Sequence, residues 1–434
     1  MESIKYGNLL INFTSQFQWL WDSNGSTNAS PGAFWRPVPN PEFLKGYFPL
    51  GDVVIGQYGN HQISGKKVVA VVGEGDPNSE GARVKGKALS PPDEYELVWN
   101  DIGSKAYEDG AVWRPVAPEG YLALGFVTTR GYQKPSRNAI RCVRADLVIA
   151  SYISDLIWND RGSNAAMSFS AWNITPPGAA QGEIYLSPGT FVGADSYARP
   201  DQHIAAYSLR MRIPLQVNPS PPAPHLTDHS IPSPHEKAEV THMSTLPWFT
   251  VKDPHLSPVE QLRSSPTYRL ERTDKYLRVG FGRNESSATQ TLKWVATNGQ
   301  NGSQLETFTR TTAIEIGSEW QFSITPLASS IKFSAKFNKS LTHTETSTQG
   351  WTSSTSIEIS ATVPAHKTIA VYLIQSEYRL LRENNTQISS SISYTDGNSV
   401  YWSEYPPARE CQINCRPLSA LESKAREAVI TSSV

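Results

Sequence analysis

The residues best placed to do chemistry in this chain run from Ile314 to Leu341, IEIGSEWQFSITPLASSIKFSAKFNKSL. The chemistry they suit is partition between water and lipid. With residues 314–324 laid against 331–341 and a tip at 325–330, one face carries Ile314, Ile316, Trp320, Phe322 and Ile324 opposite Ile331, Phe333, Ala335, Phe337 and Leu341. The other face carries Glu315, Glu319, Gln321 and Ser323 opposite Lys332, Ser334, Lys336 and Asn338. This register sets Phe322 against Phe333 and Glu319 against Lys336, both favourable across strands. An arm of about 9–11 residues is what a tilted strand needs to cross a bilayer. Any half-buried antiparallel pair alternates in the same way, so the pattern alone also describes a hairpin of a water-soluble core. Lipid cannot satisfy an open sheet edge, so insertion implies a closed barrel built from several copies of the chain.

Enzymatic chemistry has no comparable residues. The sequence contains no G-x-S-x-G, H-E-x-x-H or phosphate loop, and no cofactor is expected. Cys142 is isolated. Cys411 and Cys415, with three residues between them, are a candidate small disulfide loop, two free thiols being the favoured alternative; no further ligands lie nearby for zinc. A formal net charge of −1 gives no electrostatic case for nucleic acid.

The elements that must position these residues are strands. The 434-residue chain is 38% hydrophobic and 18% charged, with twelve Trp and eighteen Tyr, a mix that suits β-structure in two or three domains. The N-terminus lacks a basic start followed by an apolar core, and no run of 18 apolar residues occurs. The expectation is a protein made soluble in the producing cytosol, then released to act at a target-cell membrane.

Residues 1–213 repeat three times. WDSNGS from Trp21, WNDIGS from Trp99 and WNDRGS from Trp158 share their spacing, and a second Trp follows each at Trp35, Trp113 and Trp172. Each motif is an Asx–Gly turn in which Gly takes a positive φ. No such unit buries a core alone, so the six indoles are expected to share one interior in a threefold β-prism, with a β-trefoil as alternative. Asp22, Asn100, Asp101, Asn159 and Asp160 are the candidate groups for sugar hydroxyls or Ca²⁺, although turn chemistry alone accounts for them. WNDIGS, WRPVAPEGYLALGFV and IRCVRADLV together resemble the domain named after vacuolar protein sorting-associated protein sixty-two, over roughly residues 10–213. The resemblance implies a binding module without enzymatic activity, here for a cell-surface glycan or protein receptor.

Residues 214–247 are Pro-rich and hold His225, His229, His235 and His242, and read as an extended, solvated linker. Residues 248–410 read as β throughout: a long strand or strand pair at 268–281, a Thr-rich strand LETFTRTTAIEIG, the hairpin, Ser/Thr-rich strands, and TVPAHKTIAVYLI. That order is similar to the pore-forming domain of aerolysin-type toxins of the epsilon-toxin and mosquitocidal branch. Val363, Pro364, Lys367, Thr368 and Val371 match its closing element as they stand. The resemblance implies an elongated β-sheet domain, homo-oligomer formation on a membrane, and insertion of the hairpin segment. It also gives the helical tail 411–434 a role as a removable peptide, with trypsin-type sites at Arg416, Lys424 and Arg426; a packing terminal helix is the plain alternative. A lectin-like binding protein on the same scaffold is the competing function.

Overall fold

The computed structural model describes residues 3–59, 63–200, 204–234, 237–300, 302–324, 331–343, 351, 354–407 and 431–432. The chain is almost all β and divides into two compact units. Met1–Pro214, Leu246–Tyr268 and Ala313–Phe337 form the first; Leu215–Thr245, Arg269–Thr312 and Asn338–Val434 form the second. These boundaries differ from the expected ones chiefly in removing residues 313–337 from the strands that flank them in sequence.

The first unit contains the three repeats as three antiparallel sets: Phe17–Asp22 with Ala33–Pro37 and Val53–Ile55, Glu94–Asn100 with Gly110–Val116 and Val127–Arg130, and Val148–Asn159 with Ser170–Thr175 and Phe191–Ala194. In each set a bulge just before the first Trp shifts the strand by one residue. The bulge re-aims the indole, so that Trp21, Trp99 and Trp158 meet with ring centroids 5.2, 5.8 and 6.1 Å apart.

The expected six-Trp interior is corrected by strand geometry. Phe34 opposes Trp21 and Val112 opposes Trp99, and both join the central cluster. Their successors Trp35 and Trp113 point to the opposite face of the strand. Trp35 packs in a separate cluster with Ile63 and Val69, and Trp113 in another with Tyr95 and Ile140. Trp172 alone of the second indoles reaches the centre.

One residue of the first repeat breaks the rule that buried charge is paired. Lys67 is 1% exposed and its Nζ has no hydrogen-bond partner among the described residues, and burial pushes its ammonium pKa well below the usual lysine range. The unfolded chain keeps the ordinary value, so it binds the proton more tightly than the folded one. Stability therefore rises with pH across the window between the lowered folded value and the ordinary one. Lys67→Met, which keeps the stem and removes the amine, is expected to stabilise the chain by about 1–4 kcal/mol and to flatten that slope. Urea unfolding at pH 7 and pH 9.5 reads both effects.

The second unit is built on one sheet, ordered Leu215–Val217, Glu239–Pro247, Thr267–Arg283, Thr368–Arg382, Ile392–Tyr405, Gln290–Gln300, Thr355–Val363 and Thr431–Ser432. Thr267–Arg283 is a single 17-residue strand, about 55 Å long. The expected linker is in part sheet, because residues 235–246 contain no proline. Leu215–Val217 pairs with Glu239–Pro247, which sets His242 in a strand. The proline stretch between them is tied to its own sheet: Leu226 N donates to Ser403, His229 Nδ1 meets Thr368 Oγ1 at 2.7 Å, and Arg278 donates to the carbonyls of Pro232 and Pro234. His235 lies outside the described residues.

The expected Thr-rich strand LETFTRTTAIEIG is also corrected, since Gly302–Thr312 is an α-helix. Leu305, Phe308 and Thr312 fall three and four residues apart, the spacing of one helix face. Phe308 and Thr312 are buried. Thr307 and Thr312 donate their hydroxyls to the carbonyls four residues back, which lets β-branched residues sit in a helix. A second helix, Pro258–Ser264, opens with a capping box between Ser257 and Glu260 and a Pro in its first turn. Among the described residues no helix is long and apolar enough to cross a membrane, which says nothing of strands.

Candidate functional site

The segment from Ile314 to Leu341 forms a hairpin shorter than the expected one. Glu319–Trp320 and Ser323–Ile324 pair with Ile331–Lys336 in the register Glu319↔Lys336, Trp320↔Ala335, Ser323↔Lys332 and Ile324↔Ile331. Phe322 and Phe333 meet edge to face at 4.8 Å. The first arm begins only at Glu319, because Gly317 at φ 95° turns the chain and Ser318 hydrogen-bonds Glu315 there. The second arm ends at Lys336, because Asn338 starts the short helix Lys339–Thr342, which carries Leu341 away from the strand. The tip, residues 325–330, lies outside the described residues.

The hairpin ends a larger sheet of the first unit, with Glu319–Trp320 and Ser323–Ile324 at the edge and Ile331–Lys336 one strand in. The free side of Ile331–Lys336 pairs with Glu183–Leu186, from Glu183↔Lys336 to Leu186↔Phe333. Most of its apolar face is covered: Ile314, Ile316, Trp320, Ile331, Phe333, Ala335 and Phe337 are each at most 3% exposed, and Phe322 is half-buried. The cover is the 3-10 turn Trp248–Thr250. Phe249 packs on Phe333 at 5.8 Å, Trp320 stacks on Phe337 at 4.3 Å, and Trp320 Nε1 donates to the Thr250 carbonyl. Phe13 packs on both Trp248 and Phe249. Each large apolar side chain buried here contributes about 1.5–3 kcal/mol, so exposure of this face to water is strongly opposed.

The polar face is engaged in part. Ser334 is fully buried and contacts Glu319 at 3.4 Å. Lys332 Nζ donates to Asp155 at 2.8 Å, Ser154 at 2.9 Å and Thr175 at 3.1 Å. The Lys332 ammonium in turn holds the Asp155 carboxyl below its usual range. Glu315 and Gln321 are exposed.

The turn residues of the repeats have a structural use. Asp22, Asn100 and Asn159 each accept a hydrogen bond from the backbone two residues on, and Gly25, Gly103 and Gly162 follow at φ 88°, 93° and 88°. Asp101 and Asp160 are buried, and each accepts from the backbone nine residues on, at Gly110 and Phe169. They also receive the indoles of the preceding repeat. Trp21 Nε1 donates to Asp101 and Glu108 O, Trp99 Nε1 to Asp160 and Met167 O, and Trp158 Nε1 closes the ring on Ser30 O. Burial pushes the Asp160 carboxyl up, against the bonds it accepts from Phe169 and Trp99. Asp101 and Asp160 therefore tie neighbouring repeats together.

Cys142 is a free, buried thiol pushed up to about 12 by burial, which makes it unreactive. Cys411, Cys415, Arg416, Lys424 and Arg426 lie outside the described residues. Among the described residues no group of three or more His, Cys, Asp or Glu could hold a metal ion. Two features escaped sequence reading: the Trp248–Phe249 cover, and a buried cluster of Arg272, Asp274, Ser376 and His343. Arg272 and Asp274 sit two apart on one strand, the only local signal of that cluster.

Comparison with known proteins gives three findings. The model of the family described as Vacuolar protein sorting-associated protein 62 matches residues 1–217. No curated protein is similar in sequence. Among solved structures, GNIP1Aa from Chromobacterium piscinae is similar at 24% identity and a TM-score of 0.36, over 45% of this chain and 34% of that one. The chain thus spans about a third of the length of GNIP1Aa. Cry35Ab1 is similar at 11% identity and a TM-score of 0.32, over 93% of this chain and 91% of that one.

Proposed function

The chain belongs to the family of vacuolar protein sorting-associated protein 62, and on that premise we propose that it is a β-pore-forming toxin of aerolysin type whose N-terminal half recognises a cell-surface glycan or protein. Copies of the chain then assemble on the target membrane, and each contributes the segment from Ile314 to Leu341 to a transmembrane barrel. One observation carries this reading. The chain leaves the second unit after helix Gly302–Thr312, folds residues 313–337 into the first unit, and re-enters the second at Asn338. An amphipathic hairpin excluded from the sheet that flanks it in sequence can be withdrawn without dismantling that sheet. Glu315, Glu319, Gln321, Ser323, Lys332, Ser334 and Lys336 would line the lumen, and the apolar partners would face lipid. The tail with Arg416, Lys424 and Arg426 is the proposed activation peptide, and release from the producing cell precedes action.

Release of an encapsulated dye from vesicles and from susceptible cells, with and without trypsin, tests the proposal. The expected result is leakage together with a detergent-resistant oligomer. Absence of both under every activation condition would sink it. Binding on a glycan array without leakage would leave the lectin-like reading standing instead.

A further inference from the structure

The residues that follow the hairpin are held by a buried polar cluster of the second unit. Arg272 Nη1 donates to the carbonyl of Ser340 at 2.6 Å and reaches that of Leu341. Tyr378 donates its hydroxyl to the Leu341 carbonyl at 2.6 Å, and Trp351 Nε1 donates to the Thr342 carbonyl. Helix Lys339–Thr342 thus has its C-terminal carbonyls bound by side chains of three separate segments. Arg272 is itself fixed by Asp274, at 2.8 Å, and the two are 7% and 6% exposed. Asp274 also accepts from Thr241 and Ser376.

The titratable member is His343, the residue that ends the helix, at φ 58°. Its Nε2 lies 2.8 Å from Ser376 Oγ, and its ring is stacked on Tyr394 at 5.0 Å with an interplanar angle of 8°. Ser376 gives its one proton to Asp274 and receives Arg272 Nε, so a His343 carrying its hydrogen on Nε2 completes the chain of bonds as donor. Among the described residues, the charged and titratable groups around it include Arg272 and Asp274 on one strand, His242 on the next, Asp396 and Tyr394 on another, and Tyr378 opposite. Arg272 Nε and His343 Nε2 share the one Ser376 oxygen, so a protonated His343 is a second cation beside the guanidinium, with Asp274 and Asp396 the carboxylates that offset it.

We propose that this cluster is an acid-operated latch: neutral His343 locks Lys339–Thr342 and with it the chain leaving the hairpin, and protonation of His343 releases that segment. The proposal rests on the pore-forming reading for its purpose, but not for its test. Burial, and then the neighbouring Arg272 guanidinium, push the His343 imidazole down to about 4 from an ordinary 6.5. The released state titrates at the ordinary value. The latch therefore holds fully above pH 6.5 and weakens as pH falls towards 4, by up to roughly 300-fold in the open-to-closed ratio.

Hydrogen exchange of the full chain, read by mass spectrometry at residues 338–343 and corrected for intrinsic rates, tests this between pH 7 and pH 4. The wild type is expected to lose protection there at least tenfold, with a midpoint between 6.5 and 4, while strand Thr368–Arg382 stays protected. His343→Asn keeps a residue that tolerates positive φ and cannot take up the proton, so its protection should stay flat. An invariant wild-type profile, a midpoint below 4, or a variant that opens like the wild type overturns the latch. The wild-type profile decides the matter even if the variant folds poorly. Opening without vesicle leakage supports the latch while removing the pore.

Discussion

Ile184→Cys combined with Ala335→Cys is expected to abolish dye release when oxidised and to restore it on reduction. The two residues are register partners where the hairpin arm joins the first unit. Ser187 N donates to Lys332 O, so alternation along the ladder makes Ile184 and Ala335 a non-hydrogen-bonded pair. Such pairs have Cα atoms about 4.5 Å apart, within the span of a disulfide. A covalent bond there prevents withdrawal of Ile331–Lys336 while leaving the rest of the surface unchanged. Binding to cells should therefore persist and leakage should fall to background. Undiminished leakage from a fully oxidised sample would show that this arm does not leave its sheet, and the insertion model would fall with it. Each single cysteine variant is the control for altered packing, since both sites are fully buried.

The largest stability effect is expected for Trp99→Ala. Trp99 is 1% exposed, packs against Trp21, Trp158 and Phe169, and donates to Asp160 at 2.9 Å. Removal of a buried Trp costs about 3–5 kcal/mol in cavity and transfer energy. Asp160, whose carboxyl burial already raises, would also lose its indole donor. Urea unfolding should show the loss as a lower midpoint, and the loss should spread through all three repeats, because Trp21, Trp99 and Trp158 each bond the next unit in a closed ring. Trp113→Ala, in a peripheral cluster of one repeat, should act more locally. A change below about 1 kcal/mol for Trp99→Ala would contradict a shared interior.

Much of this was legible in the residues, for reasons that are local. The Asx–Gly turns follow from residue types that favour them wherever they occur, and all three glycines take positive φ. The pairing of Glu319 with Lys336 follows from alternation with period two, which admits few registers that keep every apolar residue on one face. The capping box at Ser257–Glu260 is local in the same sense, since Ser, Pro and Glu at positions 257, 258 and 260 mark a helix start. The Thr-rich helix Gly302–Thr312 could not be read by propensity, because Thr307 and Thr312 satisfy their hydroxyls on the preceding turn.

By itself the sequence determined an all-β chain, a threefold repeat joined to a long-stranded sheet, and one amphipathic hairpin, since composition, turn chemistry and periodicity act within a few residues. The tertiary structure decided which indoles share a core, that residues 313–337 pair with Glu183–Leu186, and that Arg272, Asp274, Ser376 and His343 converge. Those outcomes depend on which edges and faces meet across stretches of chain far longer than any local pattern. Alternation fixes what a strand can bury but leaves open against which strand it buries it.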